Sequence, residues 1–582
     1  MRKSNYDKSP ATNLDGRLWK GWPAVIEELR EASSVVDDDT GQHILAVEYY
    51  HGVYAGEVSA HLGQLRPALW IDMQTLLKAP SAIEAMTAPY LTDDALFGHR
   101  AFFTYTDYLD EEKVSACRRL IEKTKGLILI TGHGAAEFCP SPYTLIYIDM
   151  ARWEIQQRFR RKEINGLGVE NKDDSPAAHY KRGYFIDWIV CDTLKKKRLP
   201  RVDYWIDTHQ PEVPKMITGQ TMLEGLEKTA RQPFRVVPFF DPAPWGGQWM
   251  KDVCGLDRDV VNYGWCFDCV PEENSLYLRV AGELFEMPAN NLLFYQSRQV
   301  LGSPVEARFG DDFPIRFDFL DTIEGGNLSL QVHPTNQYIR DTFGLYYTQD
   351  ESYYLLDAGE GATVYLGLKT GVDPEEMIRA LNESYKTGKP FAADRYVNQW
   401  PARKHDHYLI PAGTVHCAGA GAMVLEISAT PSLFTFKLWD WGRLGLDGLP
   451  RPINIRHGSH VIQWERQTEF VQQQLVNCIT PVAEGDGWKE ERTGLHENEF
   501  IETRRYWFTK KVPLQTGSSV NVLNLVEGDE IRIESPARLF DPFVVHYAET
   551  FIVPACVGEY TMRPCGSSEG KGCGVIKASV RY

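Results

Sequence analysis

The sequence lacks several features that would assign it to common classes of protein. It has no apolar run of membrane-spanning length and no charged start followed by an apolar segment, so we expect a soluble, cytoplasmic protein. Cysteine is scarce and odd in number, 11 in 582 residues, which is typical of free thiols in a reducing compartment. Basic residues are outnumbered, 62 Lys and Arg against 79 Asp and Glu. The resulting net charge of -17 excludes a general nucleic-acid-binding surface.

Two basic runs and one Cys-x-x-Cys pair are local exceptions. The basic runs, residues 158–162 and 195–198, are predicted to be solvated helix faces. Cys266 and Cys269 have no second pair at zinc-finger spacing, which indicates buried thiols. We therefore expect a small-molecule partner, with no nucleic acid and no membrane.

The chain is long enough for two to four domains, and the pattern of predicted helices and strands changes near residue 230. Before that point, residues 126–131 and 143–148 are typical of buried strands, and residues 111–125 of an amphipathic helix. Buried strands that alternate with helices predict a parallel α/β sheet within residues 1–230.

After residue 230, short strands and Pro/Gly turns dominate the sequence. This texture predicts two all-β sandwiches of the jelly-roll kind, over residues 231–470 and 471–582. A helical insertion is predicted near residues 373–383, with Asp373 as its cap and Pro374 at its first position.

Four potential metal ligands fall in the first of these sandwiches. Gln331 and His333 are two apart in a strand-like run, so their side chains project from one face. Glu351 heads the next strand-like run, and His416 closes a Pro-x-Gly-x-x-His turn. Converging inside a barrel, these residues would form a mixed N/O site that suits zinc, with iron, cobalt and manganese as alternatives.

The same region carries an ordered series of motifs that resembles one enzyme family. The series comprises Trp245-Gly-Gly, Leu328-Ser-Leu-Gln331-Val-His333-Pro334, Glu351 opening a Tyr-containing strand, Pro411-Ala-Gly-Thr-Val-His416, Val424-Leu-Glu426-Ile and Lys437-Leu-Trp-Asp-Trp-Gly-Arg443. Over roughly 350 C-terminal residues the chain resembles the class I mannose-6-phosphate isomerases, zinc enzymes of the cupin superfamily. The resemblance implies one Zn²⁺ per chain, held by Gln331, His333, Glu351 and His416, and a sugar phosphate as substrate.

The resemblance also implies the reaction and the residues around it. The expected activity is interconversion of mannose 6-phosphate and fructose 6-phosphate through a cis-enediol, which needs a base and stabilised oxyanions. We predict Glu426 as a positioned carboxylate and Lys437 or Arg443 as the cation near the enediolate. Ser329 and Arg443 are the predicted substrate-binding residues. A purely structural pairing of Glu426 with a barrel cation is the alternative for that residue.

Three positions depart from the family pattern. Asp318 and Gln349 stand where the family has lysines, and Lys437 stands at an arginine position. These departures remove cations that would form charge-assisted hydrogen bonds with a dianionic phosphate, so another sugar substrate remains an alternative. A second alternative is a sugar-phosphate-binding regulatory protein that keeps its metal and has little turnover. Three arginines are candidates to compensate for the lost cations: Arg316, Arg443 and Arg456.

The N-terminal part more faintly resembles uridine-kinase-like P-loop phosphotransferases, through a strand ending at Asp149 followed by an Arg-rich helix. The turn at residues 132–137 lacks the Gly-Lys-Ser/Thr of a phosphate loop. We therefore predict a degenerate kinase-like domain. Binding of a nucleotide or sugar phosphate without turnover stays open, as does a bifunctional kinase–isomerase. A cupin dioxygenase fits the motifs poorly.

Overall fold

The computed structural model describes residues 4–34, 41–140, 143–430, 433–494 and 496–581. They form two compact units. The N-terminal unit comprises Ala11–Thr229 and Glu272–Gln296, and the C-terminal unit comprises Met1–Pro10, Ala230–Pro271 and Ser297–Tyr582. The finer division at residues 230 and 470 stays a prediction. Within the described part of the chain, no helix is both long and apolar enough to cross a membrane.

Strands are numbered β1 to β31 along the whole chain. The first twelve are Ala11–Leu14, Leu18–Lys20, Gln42–Tyr49, Leu69–Asp72, Gly126–Gly132, Thr144–Asp149, Tyr204–Asp207, Lys215–Thr218, Phe239–Asp241, Trp265–Cys269, Ser275–Val280 and Glu283–Pro288. Helices α1 to α11 are Trp22–Ala32, Ala55–Leu62, Pro80–Leu91, Glu111–Lys123, Ala135–Phe138, Arg152–Arg160, Pro176–Arg182, Trp188–Arg198, Gly219–Thr229, Trp249–Val253 and Asn290–Leu301.

The core of the N-terminal unit is a seven-stranded sheet in the order β2-β8-β7-β6-β3-β5-β4. Its five strands β3 to β7 are mutually parallel, whereas β8 pairs antiparallel with β7, and β2 pairs antiparallel with β8. The predicted parallel α/β sheet is thus confirmed. The predicted amphipathic helix is α4, which begins after Asp110 because that side chain accepts hydrogen bonds from the N–H groups of Glu112 and Lys113.

The two basic runs of this unit differ from the prediction of solvated helix faces. Arg158 on α6 is fully buried, and its Nη1 donates to the carbonyl of Gly52 at 2.7 Å. Lys195 on α8 is 1% exposed and pairs with Asp149 at 2.7 Å. The prediction was wrong at these two positions because their long side chains reach inward, Arg158 to a carbonyl just after β3 and Lys195 to the last residue of β6.

The C-terminal unit contains β9, β10 and all strands from β13 onward. Strands β13 to β21 are Ile315–Asp321, Leu330–Val332, Glu351–Ala358, Thr363–Leu368, Val397–Pro401, His407–Ile410, His416–Ala418, Ala422–Ala429 and Phe436–Trp439. Strands β22 to β31 are Thr480–Gly485, Trp488–Gly494, Ile501–Phe508, Val512–Gln515, Asn521–Glu527, Glu530–Glu534, Phe543–His546, Thr550–Val553, Glu559–Pro564 and Cys573–Val580. Helices α12 to α17 are Ser303–Phe309, Asn336–Phe343, Pro374–Thr387, Ala393–Tyr396, Ile455–Val461 and Thr468–Gln474.

These strands form two antiparallel sandwiches, in agreement with the predicted all-β texture. The first pairs a six-stranded sheet, β18-β15-β20-β13-β10-β9, with a five-stranded sheet, β17-β16-β19-β14-β21. The second pairs the six-stranded β22-β23-β24-β31-β26-β29 with the four-stranded β25-β30-β27-β28, around a core that draws side chains from both sheets. The predicted insertion is α14, which Asp373 caps and which continues to Thr387. Cys266 and Cys269 are buried free thiols, as predicted.

Candidate metal centre

The four predicted metal ligands come from facing sheets of the first sandwich. Gln331 lies on β14 and His333 directly follows that strand, whereas His416 begins β19 of the same sheet. Gln331 and His416 are register partners, so their side chains share one face. Glu351 begins β15 of the opposite sheet. Sequence spacing predicted the strand positions, but only the closing of one sheet over the other brings Glu351 to the histidines.

The donor atoms of these residues converge. Glu351 lies 3.2 Å from His333 Nε2 through one oxygen and 2.8 Å from His416 Nε2 through the other. Gln331 Nε2 lies 3.2 Å from His416 Nε2, so the side-chain amide also reaches the centre. All four residues are buried, the most exposed being Gln331 at 6%. Among the described residues, His333, Glu351 and His416 form the one group of three such donors close enough to hold a metal ion.

The orientation of both imidazoles fits metal binding. His333 Nδ1 lies 3.1 Å from the carbonyl of Phe434, and His416 Nδ1 lies 2.8 Å from the carbonyl of Thr414. A carbonyl only accepts, so each Nδ1 carries the hydrogen and each Nε2 directs its lone pair at the centre. With a Glu oxygen and the Gln331 amide, this donor set suits Zn²⁺.

Electrostatics keep the central carboxylate charged. Burial alone would raise the pKa of Glu351, but His333 and His416 beside it lower that pKa below its ordinary range. Burial disfavours charge on His333, yet Glu351 raises the pKa of His333 above its usual value. A positive charge is therefore favoured between Glu351 and the two histidines. A bound metal ion would supply that charge in place of protons.

A second carboxylate, Glu426, lies beside the centre. It is directly opposite Asp318 on one neighbouring strand and Tyr353 on the other. Burial, Asp318 and Glu351 together raise its pKa well above the usual value. Gln349 donates through Nε2 to Glu351 at 2.9 Å and to Glu426 at 3.0 Å. Two departures from the family pattern, Asp318 and Gln349, thus lie next to the predicted catalytic carboxylate.

A basic cluster lies around Asp440 in the same sandwich. Ser329 Oγ donates to Asp440 at 2.9 Å, and Arg443 pairs with Asp440 at 2.7 Å. Arg451 joins them at 2.8 Å from Asp440 and 3.1 Å from Ser329 Oγ. Lys437 lies close enough for burial, Arg451 and Arg443 to lower its pKa to about 8, while Asp440 opposes that shift. We call Ser329, Lys437, Arg443 and Arg451 the basic cluster.

Sequence reasoning missed Arg451. It named Arg443, Arg316 and Arg456 as candidates to replace the lost cations, and the structure places only Arg443 in the basic cluster. Arg316 is buried on β13, where its charge acts on Glu426, and Arg456 is exposed. The signal for Arg451 was weak, since it follows a Gly/Leu loop 11 positions after Asp440 and outside every matched motif.

Comparison with known proteins places the C-terminal part of the chain beside mannose-6-phosphate isomerases. It is 25% identical over 222 residues to the enzyme of Streptococcus mutans, covering 38% of this chain and 64% of that protein. It is 24% identical over 355 residues to mannose-6-phosphate isomerase ManA of Bacillus subtilis, covering 60% of this chain and 99% of ManA. The chain thus spans slightly less than two thirds of the Streptococcus protein and almost all of ManA.

A solved structure and a family model also match parts of the chain. The crystal structure of mannose 6-phosphate isomerase from Bacillus subtilis aligns with a TM-score of 0.48 and 19% identity, over 60% of this chain and 99% of that chain. Residues 21–231 match a family described as Domain of unknown function (DUF8485). The sequence similarity to the Streptococcus and Bacillus proteins confirms the predicted resemblance of the C-terminal part to mannose-6-phosphate isomerases. The resemblance of the N-terminal part to P-loop kinases stays a prediction.

Proposed function

We propose that the C-terminal unit is a metal-dependent aldose–ketose isomerase that interconverts mannose 6-phosphate and fructose 6-phosphate through a cis-enediol. The observation that carries this proposal is the convergence of Gln331, His333, Glu351 and His416 in one buried centre next to the basic cluster. The sequence similarity to mannose-6-phosphate isomerases supports it.

In this proposal the four ligands hold Zn²⁺, which supplies Lewis-acid stabilisation to the sugar oxygens when bound. The basic cluster receives the phosphate, because three cations there surround a single buried carboxylate, Asp440. Its net positive charge matches a dianion, and Arg443 and Arg451 are already held in place by Asp440. Ser329 Oγ adds a hydroxyl group to the basic cluster.

Glu426 is the proposed proton carrier. Burial and two neighbouring carboxylates raise its pKa, so it retains a proton at a higher pH than an ordinary Glu. Gln349 fixes one of its oxygens by a 3.0 Å hydrogen bond. A carboxyl group that retains its proton can give it to the sugar and take another back, which suits the shuttle between C1 and C2.

A sugar-phosphate-binding regulatory role is the second candidate. It is favoured by Asp318 and Gln349, which put a carboxylate and a neutral amide beside Glu426 where the related family has lysines. Fewer cations near the reacting carbons would stabilise a developing oxyanion less, whereas binding through the basic cluster would persist.

One experiment separates the two candidates. Zinc-loaded full-length protein is incubated with mannose 6-phosphate, and fructose 6-phosphate is measured over time, with binding determined separately by calorimetry. His333→Ala removes a ligand, and His460→Ala alters an exposed histidine as the matched control. Turnover lost only in His333→Ala supports the isomerase. Binding without turnover supports the regulatory role, and absence of both overturns the proposal for this site.

A further inference from the structure

The N-terminal unit contains a cavity of about 370 Å³ at the carboxyl ends of β3, β4 and β5. This volume falls in the range of small-molecule sites, roughly 300 to 1,000 Å³. Tyr49 ends β3 and Gly132 ends β5, and both line the cavity, as do Asp72 at the end of β4 and the first turn of α2. It lies wholly within the N-terminal unit and shares no residue with the metal centre.

The sheet topology favours ligand binding at this position. In the order β4-β5-β3-β6-β7, the chain leaves β3 toward β4 on one side and leaves β5 toward β6 on the other. The neighbouring strands β3 and β5 therefore send their connections in opposite directions. In open α/β sheets, the crevice at the carboxyl ends of two such strands is the general ligand-binding position.

The cavity is poorly suited to phosphate. Glu57 follows Gly56 in the β3–α2 turn, where a phosphate loop would have lysine. In the turn after β5, the N–H groups of Gly134 and Ala136 already donate to the chain's own carboxylate, Glu48. Among the described residues that line the cavity none is Lys or Arg, whereas Glu57, Asp72 and Glu163 are acidic.

The cavity instead offers both hydrogen-bond donors and acceptors. Helix α2 has no side-chain cap, and Ala55, Gly56 and Glu57 of its first turn line the cavity, so unpaired backbone N–H donors are available there. Acceptors come from the carboxylate of Asp72, at the end of β4, and from the side-chain amide oxygen of Gln74, since both residues line the same cavity.

This combination selects one kind of ligand group. A phosphate oxygen at neutral pH mainly accepts and an ammonium only donates, whereas a hydroxyl does both. Tyr54 and Tyr105 add aromatic walls against which a sugar ring or a base can pack. We propose that this cavity binds an uncharged, polyhydroxylated small molecule, either an unphosphorylated sugar or the ribose of a nucleoside.

Hydrogen–deuterium exchange of the zinc-loaded full-length protein tests the proposal, because it reports where protection arises. The probes are D-mannose, D-fructose, uridine and adenosine, each beside its monophosphate ester. At about 10 mM probe, even a site with a Kd of ~1 mM is about 90% occupied. We expect at least one unphosphorylated probe to protect residues 50–57 and 163–168, with an affinity at least about 10-fold above that of its ester. Protection by D-mannose or D-fructose would identify the ligand as a sugar, and protection by uridine or adenosine would identify it as a nucleoside.

A cavity-filling variant makes the test specific. Gly56 lines the cavity, a Cβ at this position meets no atom within 4 Å and its φ is not positive, so Gly56→Leu adds bulk at the cavity wall without backbone strain. It should reduce affinity at least about 10-fold, as expected when a bulky side chain fills the ligand volume. Gly572 has the same properties in the C-terminal unit, so Gly572→Leu is the matched control.

Three results would overturn the proposal: no protection of these segments by any probe, tighter binding of the esters than of their parent compounds, or unchanged binding in Gly56→Leu. Because protection is read in the N-terminal unit, these outcomes are independent of the isomerase assay.

Discussion

Gln331 on β14 and Lys437 on β21 are direct partners across two antiparallel strands. Directly opposed residues project from the same face of a sheet, so the amide of the candidate metal centre and the lysine of the basic cluster lie on one face of the five-stranded sheet. The candidate metal centre and the candidate phosphate site are thereby neighbours, which is the arrangement that a phosphorylated sugar would need.

Loss of a histidine ligand should abolish tight metal binding. In His416→Ala, we expect zinc affinity to fall more than about 100-fold, since changes to outer hydrogen-bond partners of metal ligands already cost about 10- to 100-fold. Competition with a chromogenic chelator measures the affinity. His460→Ala should bind zinc as the wild type does. Equal affinity in both variants would show that the metal lies elsewhere.

Arg451 should determine affinity for the phosphate group. Because a hydrogen bond to a charged group contributes about 1.5–3 kcal/mol, we expect Arg451→Met to raise KM for mannose 6-phosphate about 10- to 100-fold with a smaller effect on kcat. Asp440 keeps its pairing with Arg443 in this variant. Arg456→Met is the control on an exposed arginine of the same region. An unchanged KM in Arg451→Met would exclude a phosphate contact.

The pH profile should report Lys437. Burial and two neighbouring arginines lower its pKa to about 8, so its charge is lost as the pH rises through that value. We expect kcat/KM for mannose 6-phosphate to fall above pH 8 in the wild type. In Lys437→Arg the fall should move to higher pH, because a guanidinium stays charged. If the pH profiles of the wild type and Lys437→Arg superimpose, the charged form of Lys437 does not contact the substrate.

Glu48 should make the stability of the N-terminal unit pH-dependent. Burial raises its pKa from 4.5 to about 7, despite hydrogen bonds from Ala136 and Gly134 that favour the charged form. The folded state therefore binds more protons than the unfolded state between these values, and the free energy of unfolding falls as the pH rises through them. The loss is at most about 3 kcal/mol and persists above pH 7.

Glu48→Gln should remove most of that dependence, since the amide oxygen still accepts a backbone hydrogen bond and carries no charge. Exchange-monitored unfolding of the N-terminal unit at pH 5 and pH 8 measures the difference. Glu84→Gln changes an exposed carboxylate and should leave the dependence as it is in the wild type. An identical pH dependence in Glu48→Gln would place its source in other groups.

Local signals predicted much of the fold and part of the candidate site. Asp373 predicted the start of α14, because a capping carboxylate satisfies N–H groups within its own turn. The two-residue spacing of Gln331 and His333 predicted a shared face, because side chains on a strand alternate. These interactions join residues close in sequence, so the sequence displays them.

Arg451 was not predictable in the same way. It contacts Ser329, 122 positions earlier in the chain. Nothing in the sequence around Arg451 or Ser329 distinguishes Arg451 from an exposed arginine in a loop. The burial of Arg158 and Lys195 was missed for the same reason, since Gly52 and Asp149, which hold them inside, lie on other parts of the chain.

The sequence by itself determined the strand and helix periodicities, the change of texture near residue 230 and the types of the four potential metal ligands. Only the tertiary structure decided that Glu351 meets the two histidines, that Arg451 joins the basic cluster and that a cavity opens between the ends of β3 and β5. The physical reason is that periodicity and capping depend on neighbours a few residues apart. Convergence of charges and the shape of a cavity depend instead on how distant strands pair and pack.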